Sequence, residues 1–198
     1  MKVIRAKRHA TQPAWDRLFE FASEQSGHFT TKQAASAGHS TQLLWKHMRA
    51  GRVQRVQHGI YRLVHFPAGE HDELAVIWLW SAQSGVFSHR TALSLHGLSD
   101  VLPSRAHLTL PASWRSRRLR VPDGVTLHHA DVPARERTWF GAVPVTSVAR
   151  TLDDCAAEGL SPDLLRQATR QALDRGLVTQ RDLRRVLASL APFGGLAG

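Results

Sequence analysis

A chain of 198 residues, 42% hydrophobic and 21% charged, has the apolar material for one or two ordinary cores. Its formal net charge is +10, from 26 Lys and Arg against 16 Asp and Glu. The single cysteine, Cys155, excludes an intramolecular disulfide framework and fits a reducing cytoplasm, and the longest apolar stretch, Leu74 to Trp80, is too short to span a bilayer.

The basic start, Met1 to Arg8, has no apolar run behind it, so it reads as an arm carrying Arg5, Lys7 and Arg8 rather than as a signal peptide. A helix is expected from near Pro13, with Trp15, Leu18, Phe19 and Ala22 as its apolar stripe. Thr30 and Gln33 form a capping-box pattern that opens a short helix over Thr31 to Ala37, stopped by Gly38. Ser40 caps the next helix, Thr41 to Ala50, ended by Gly51. The alternation of Val53 and Arg55, then Ile60 and Arg62, around Gln57-His58-Gly59 predicts two strands and a turn. Helix, turn, helix and a two-stranded wing is the layout of a winged helix-turn-helix, whose second helix enters the DNA major groove.

Phe66-Pro67-Ala68-Gly69 is the expected boundary. Beyond it the pattern predicts a helix over Glu70 to Gln83 with Leu74, Ile77 and Trp78 facing a core. A short strand at Val86-Phe87 follows, then a helix capped by Ser88 and stopped by Gly97. Strands are expected at Ala106 to Leu110 and Val125 to His129, with a hairpin of Thr138 to Phe140 and Val143 to Val145. Thr146 is expected to cap a helix over Ser147 to Ala157; Ser161-Pro162 and Thr179 open two more, and the tail from Pro192 reads as frayed. The chain is therefore read as mixed α/β (α+β): a winged helix-turn-helix domain over residues 1–66, then a small mixed α/β domain over 67–198.

Charge supports that division. Residues 1–66 hold 11 basic and 3 acidic side chains, or +8, whereas the other 132 hold 15 and 13, or +2. A patch of this kind attracts phosphates and releases their counterions. On the second short helix, Leu44 and Met48 face the core, which turns Thr41, Gln42, Trp45, Lys46 and Arg49 outward. Gln42 can read adenine and Arg49 guanine through their two-pronged geometry. Trp45 either packs on the preceding helix or faces DNA. Lys46, Arg52, Arg55, His58 and Arg62 are expected at phosphates, with His58 alternatively a plain turn residue. Arg115, Arg117, Arg118 and Arg120 form a second cluster, read as a further DNA surface or as a solvated edge.

Catalytic and metal signatures are not expected. The twelve histidines are scattered, no HExxH pair occurs, and His128-His129 on a strand point to opposite faces. Asp153 and Asp154 fall about 100° apart on a helix, with Arg150 one turn before Asp154 as an i,i+4 pair. No phosphate-cradling glycine motif is present, so no cofactor and no turnover are expected.

Phe29-Thr30-Thr31-Lys32-Gln33-Ala34, Gly38, Gly51, Arg55-Val56 and His58-Gly59-Ile60-Tyr61-Arg62 resemble the N-terminal domain of the AbiEi family. Ser88-His89-Arg90-Thr91-Ala92-Leu93, His96-Gly97-Leu98, His107-Leu108-Thr109, Val143 to Ser147 and Ala149 to Asp153 resemble that family's middle signatures, so the likeness covers about residues 28–185. The resemblance implies a cytoplasmic, sequence-specific DNA-binding repressor that acts on its own promoter. It also implies an antitoxin of a type IV, abortive-infection toxin–antitoxin operon, whose partner toxin is a nucleotidyltransferase. A stand-alone regulator without a toxin is the alternative. A relative of the proteins that continue into a Vsr-like endonuclease is another, although the chain stops at Gly198, where that nuclease would start.

Overall fold

The computed structural model describes residues 14–100 and 103–196. Pro13 and the basic arm with Arg5, Lys7 and Arg8 lie outside the described residues. The chain divides into two units, Met1–Trp80 and Ser81–Gly198.

The first unit runs α1 (Trp15–Ser23), β1 (His28–Thr30), α2 (Thr31–Ser36), α3 (Thr41–Arg49), β2 (Val53–Gln57), β3 (Ile60–Leu63) and α4 (Asp72–Trp80). Its helices begin where the caps require. Gln33 N donates to Thr30 Oγ1 (3.2 Å), Thr30 N donates back to Gln33 Oε1 (2.8 Å), and Leu43 N donates to Ser40 Oγ (3.2 Å). Gly38, at φ 81°, turns α2 into α3. Leu18, Ala22, Phe29, Ala34, Leu44, Val53, Tyr61 and Leu63 make the core, with Met48 packed against it.

Strand β1 is absent from the periodicity of the sequence, because three residues are too few to show a pattern. It forms as the outer strand of an antiparallel β1-β3-β2 sheet, pairing His28 with Arg62 and Thr30 with Ile60. Phe66 to Gly69, expected as the boundary, lies inside the first unit. Arg62 donates to the Phe66 carbonyl (2.9 Å) and meets Asp72 (3.5 Å), while Gly69 N donates to Asp72 Oδ1 (3.0 Å), so the segment folds back. Gly27, at φ 82°, permits this: a Cβ there would come within 2.7 Å of the Phe66 ring. Helix α4 buries Ala75, Trp78 and Leu79, with Leu74 and Ile77 only partly covered.

The second unit contains β4 (Val86–Phe87), α5 (His89–Leu95), β5 (Ala106–Leu110), β6 (Val125–His129), β7 (Arg137–Phe140), β8 (Val143–Thr146), α6 (Val148–Glu158), α7 (Pro162–Asp174) and α8 (Arg184–Leu190). The strands form one mixed sheet in the order β6-β5-β4-β8-β7, with β4–β8 and β5–β6 parallel. Leu93, Leu98, Leu152, Cys155, Leu165, Ala168, Leu183 and Val186 are among the buried side chains of its helical core. Burial pushes the Cys155 thiol up to about 12, so it packs as an inert apolar group.

Two caps differ from expectation. Ser88 Oγ does not cap α5; it lies 2.7 Å from Thr109 Oγ1 and 2.8 Å from His89 Nδ1. Ser147, not Thr146, caps α6, because Thr146 is the last residue of β8 and bonds Thr151 through its hydroxyl (2.7 Å). The tail is not frayed up to residue 196. The buried Arg166 donates to the carbonyls of Phe193 (2.7 Å) and Gly195 (3.0 Å), which ties the chain down. Among the described residues no helix is long and apolar enough to cross a membrane.

The capping box makes a prediction. Thr30→Ala removes one acceptor from the α2 N-terminus and is expected to lower stability by ~1 kcal/mol, whereas Thr30→Ser stays near wild type. Urea unfolding of the three proteins checks the order.

Candidate nucleic-acid interface

The surface of α3 follows from its core contacts. With Leu44 buried and Met48 half-buried, Thr41, Gln42, Trp45, Lys46 and Arg49 are all exposed along one side of the helix. Trp45 is 57% exposed, and the Arg49 guanidinium lies 5.4 Å from its ring centroid. The packing expected as one option for Trp45 is instead made by Trp15, whose ring lies 5.0 Å from that of His47 and 6.1 Å from that of His39. An exposed tryptophan beside an arginine offers a flat face and a planar cation together.

The hairpin carries exposed cations as well. Arg52, Arg55 and His58 are exposed, with Arg55 Nη2 2.9 Å from His58 Nδ1 at the turn. The turn is docked: Thr31 N donates to the Gly59 carbonyl (2.9 Å), so the hairpin tip is tied to the start of α2. No Asp or Glu occurs between Glu24 and Glu70, which leaves α2, α3 and the hairpin without an acidic side chain of their own. Arg62 does not belong with the others. It is half-buried, bound to the Phe66 carbonyl and paired with Asp72, so its charge is satisfied within the unit.

In the second unit Arg115, Arg117, Arg118 and Arg120 are exposed in the irregular segment after a 3-10 turn at Ala112–Trp114. Arg117 stacks 4.0 Å from the Trp114 ring centroid, and Arg115 reaches the His129 carbonyl (3.3 Å). Arg150 bridges Asp154 (2.8 Å) and Glu136 (2.7 Å), as its i,i+4 spacing from Asp154 requires. Burial raises the carboxyls of Asp153 and Asp154 above the ordinary aspartate value.

Sequence reasoning missed one constellation. His89, His107 and His128 come together, one ring nitrogen from each lying within 4.8 Å of the others. His89 and His128 stack at 3.6 Å, and His107 Nδ1 lies 3.0 Å from His128 Nε2 and 3.5 Å from Glu158 Oε1. Burial lowers the pKa of all three, that of His89 to about 3. Their spacing matches no ligand motif, because they come from the start of α5 and from two strands joined by a long connection. The available signal was parity: the β5–β6 register pairs His107 with Thr126 and Thr109 with His128, which places both histidines on one face.

Residues 16–64 match the family model described as "Transcriptional regulator, AbiEi antitoxin". Among solved structures, the chain is similar to the RV2827C protein from Mycobacterium tuberculosis, at 16% identity and a TM-score of 0.44, over 96% of this chain and 82% of that one. No curated protein matches.

The two classes of arginine separate by stability. Arg62→Ala is expected to cost ~1–2 kcal/mol, since it takes the guanidinium from the Phe66 carbonyl and from one oxygen of Asp72, whereas Arg55→Ala should stay within ~0.5 kcal/mol of wild type. Thermal unfolding of both variants is the check.

Proposed function

We propose that the first unit is a winged helix-turn-helix that binds duplex DNA, with α3 in the major groove and the β2–β3 wing on the backbone. The observation that carries this reading is the exposure of Thr41, Gln42, Trp45, Lys46 and Arg49 on one side of α3, within a segment that runs through the hairpin without an Asp or Glu. Gln42 and Arg49 are suited to base edges, and Lys46, Arg52, Arg55 and His58 to phosphates. Arg5, Lys7 and Arg8 extend the cationic run in the sequence, and Arg115, Arg117, Arg118 and Arg120 supply a second phosphate-binding surface. Arg62 acts as a brace for the wing.

The family match supports transcriptional regulation and an antitoxin role. On that support the protein represses its own promoter in the cytoplasm, without catalysis, as the antitoxin of a type IV toxin–antitoxin operon with a nucleotidyltransferase toxin. A stand-alone regulator would use the same surface.

Titration against the upstream region of its own gene at two salt concentrations tests the reading. Affinity is expected to fall steeply with salt, because several phosphates are neutralised; salt-independent affinity, or no binding at low salt, overturns it. Arg49→Ala is expected to weaken the specific site by ~1–3 kcal/mol and to affect random DNA less, while Arg55→Ala weakens both alike. Equal losses on both DNAs for Arg49→Ala would reassign that residue to the backbone.

A further inference from the structure

We propose that His89, His107 and His128 of the second unit bind one borderline divalent cation of the zinc class, with the Glu158 carboxylate beside them as the balancing anion.

Imidazole nitrogen is a preferred ligand of such ions, and three imidazoles supply three of the four positions of a tetrahedral site, leaving the fourth open. Zn–N bonds of ~2.0–2.1 Å place tetrahedral ligand nitrogens roughly 3.3 Å apart. One nitrogen of each ring already lies within 4.8 Å of the others, and His107 Nδ1 and His128 Nε2 stand 3.0 Å apart. The rings of His89 and His128 stack, so closing the set requires them to turn until their in-plane lone pairs converge on the ion.

The surroundings are those of a built site. Ser88 Oγ, 2.8 Å from Nδ1, fixes the His89 ring, an outer-shell role that ligating histidines commonly need. Thr91 Oγ1 accepts from His107 N (2.8 Å), which positions the β5 segment. Arg90 holds Glu158 from the other side (3.6 Å), and Asp154, one helical turn before Glu158 on α6, has a buried carboxylate oxygen, Oδ2, with no hydrogen-bond partner. His89 sits at φ 51°, a left-handed conformation that non-glycine residues hold only when the surroundings impose it. An ion here would join β5, β6 and the start of α5, so its first consequence is stability of the second unit.

The test uses the full chain, carrying no polyhistidine tag and stripped with a chelator, titrated with Zn2+ against a chromophoric competitor. Co2+ absorption serves as a second readout. One ion per chain is expected, with a tetrahedral cobalt spectrum and a Zn2+-dependent rise in melting temperature. His128→Asn and His107→Asn should each weaken binding by more than ~100-fold, and His129→Asn, on the opposite face of β6, should not. His128→Asn alone decides the matter if His107→Asn does not fold. Failure of the wild-type chain to bind Zn2+ stoichiometrically, or binding that survives His128→Asn, overturns the proposal.

Discussion

Gln33 is the side chain on which the first unit's geometry turns. Its carbonyl oxygen receives Thr30 N and its amide donates to Gln25 Oε1 (2.9 Å), while the Gln25 amide donates to the carbonyls of Phe21 (2.7 Å) and His28 (3.1 Å). Two buried or half-buried amides thus join the end of α1, strand β1 and the start of α2. Fully satisfied polar networks of this kind fix one arrangement, because any displacement leaves a desolvated group unpaired. With β1 placed, β3 pairs to it, β2 pairs to β3, and Gly59 delivers its carbonyl to Thr31. The hairpin tip is then fixed to the start of α2.

The arrangement of charge follows from this frame. Arg52 and Arg55 project from the hairpin and have no acidic neighbour in the segment, so their fields add. Arg62 lies on the central strand, where its guanidinium is directed to Phe66 and Asp72 and braces the chain as it leaves the sheet. Three arginines in and beside one hairpin therefore divide into two exposed cations and one internal strut, and the division depends on position in the fold rather than on residue type.

The second unit solves a different problem. Its strands bury polar residues that find partners, Thr109 with Ser88 and Thr146 with Thr151, and the half-buried His96 at the end of α5 lies 2.8 Å from the Thr146 carbonyl. The helix α6 presents Arg150, Asp154 and Glu158 at successive turns. Arg150 closes onto Asp154 and Glu136, whereas Glu158 reaches the histidine cluster through His107. One helix thus couples a structural ion network to the three-histidine constellation.

The amino-acid sequence by itself determined where α2 and α3 start and, within a residue, where they stop, since caps, glycines and apolar spacing act over a few residues. It also determined the charge asymmetry and, within a residue or two, most strands of the second unit. The short strand β1, the inclusion of α4 in the first unit and the bracing role of Arg62 were decided by pairings with segments distant in the chain. The same holds for Ser147 replacing Thr146 as a cap, for the anchoring of the tail by Arg166, and above all for His89, His107 and His128. Two of those histidines share a face only because β5 and β6 run parallel in one particular register, and the third arrives from the start of α5. Local rules cannot see such a juxtaposition: its energy lies in sheet register and burial, which exist only once the chain has folded.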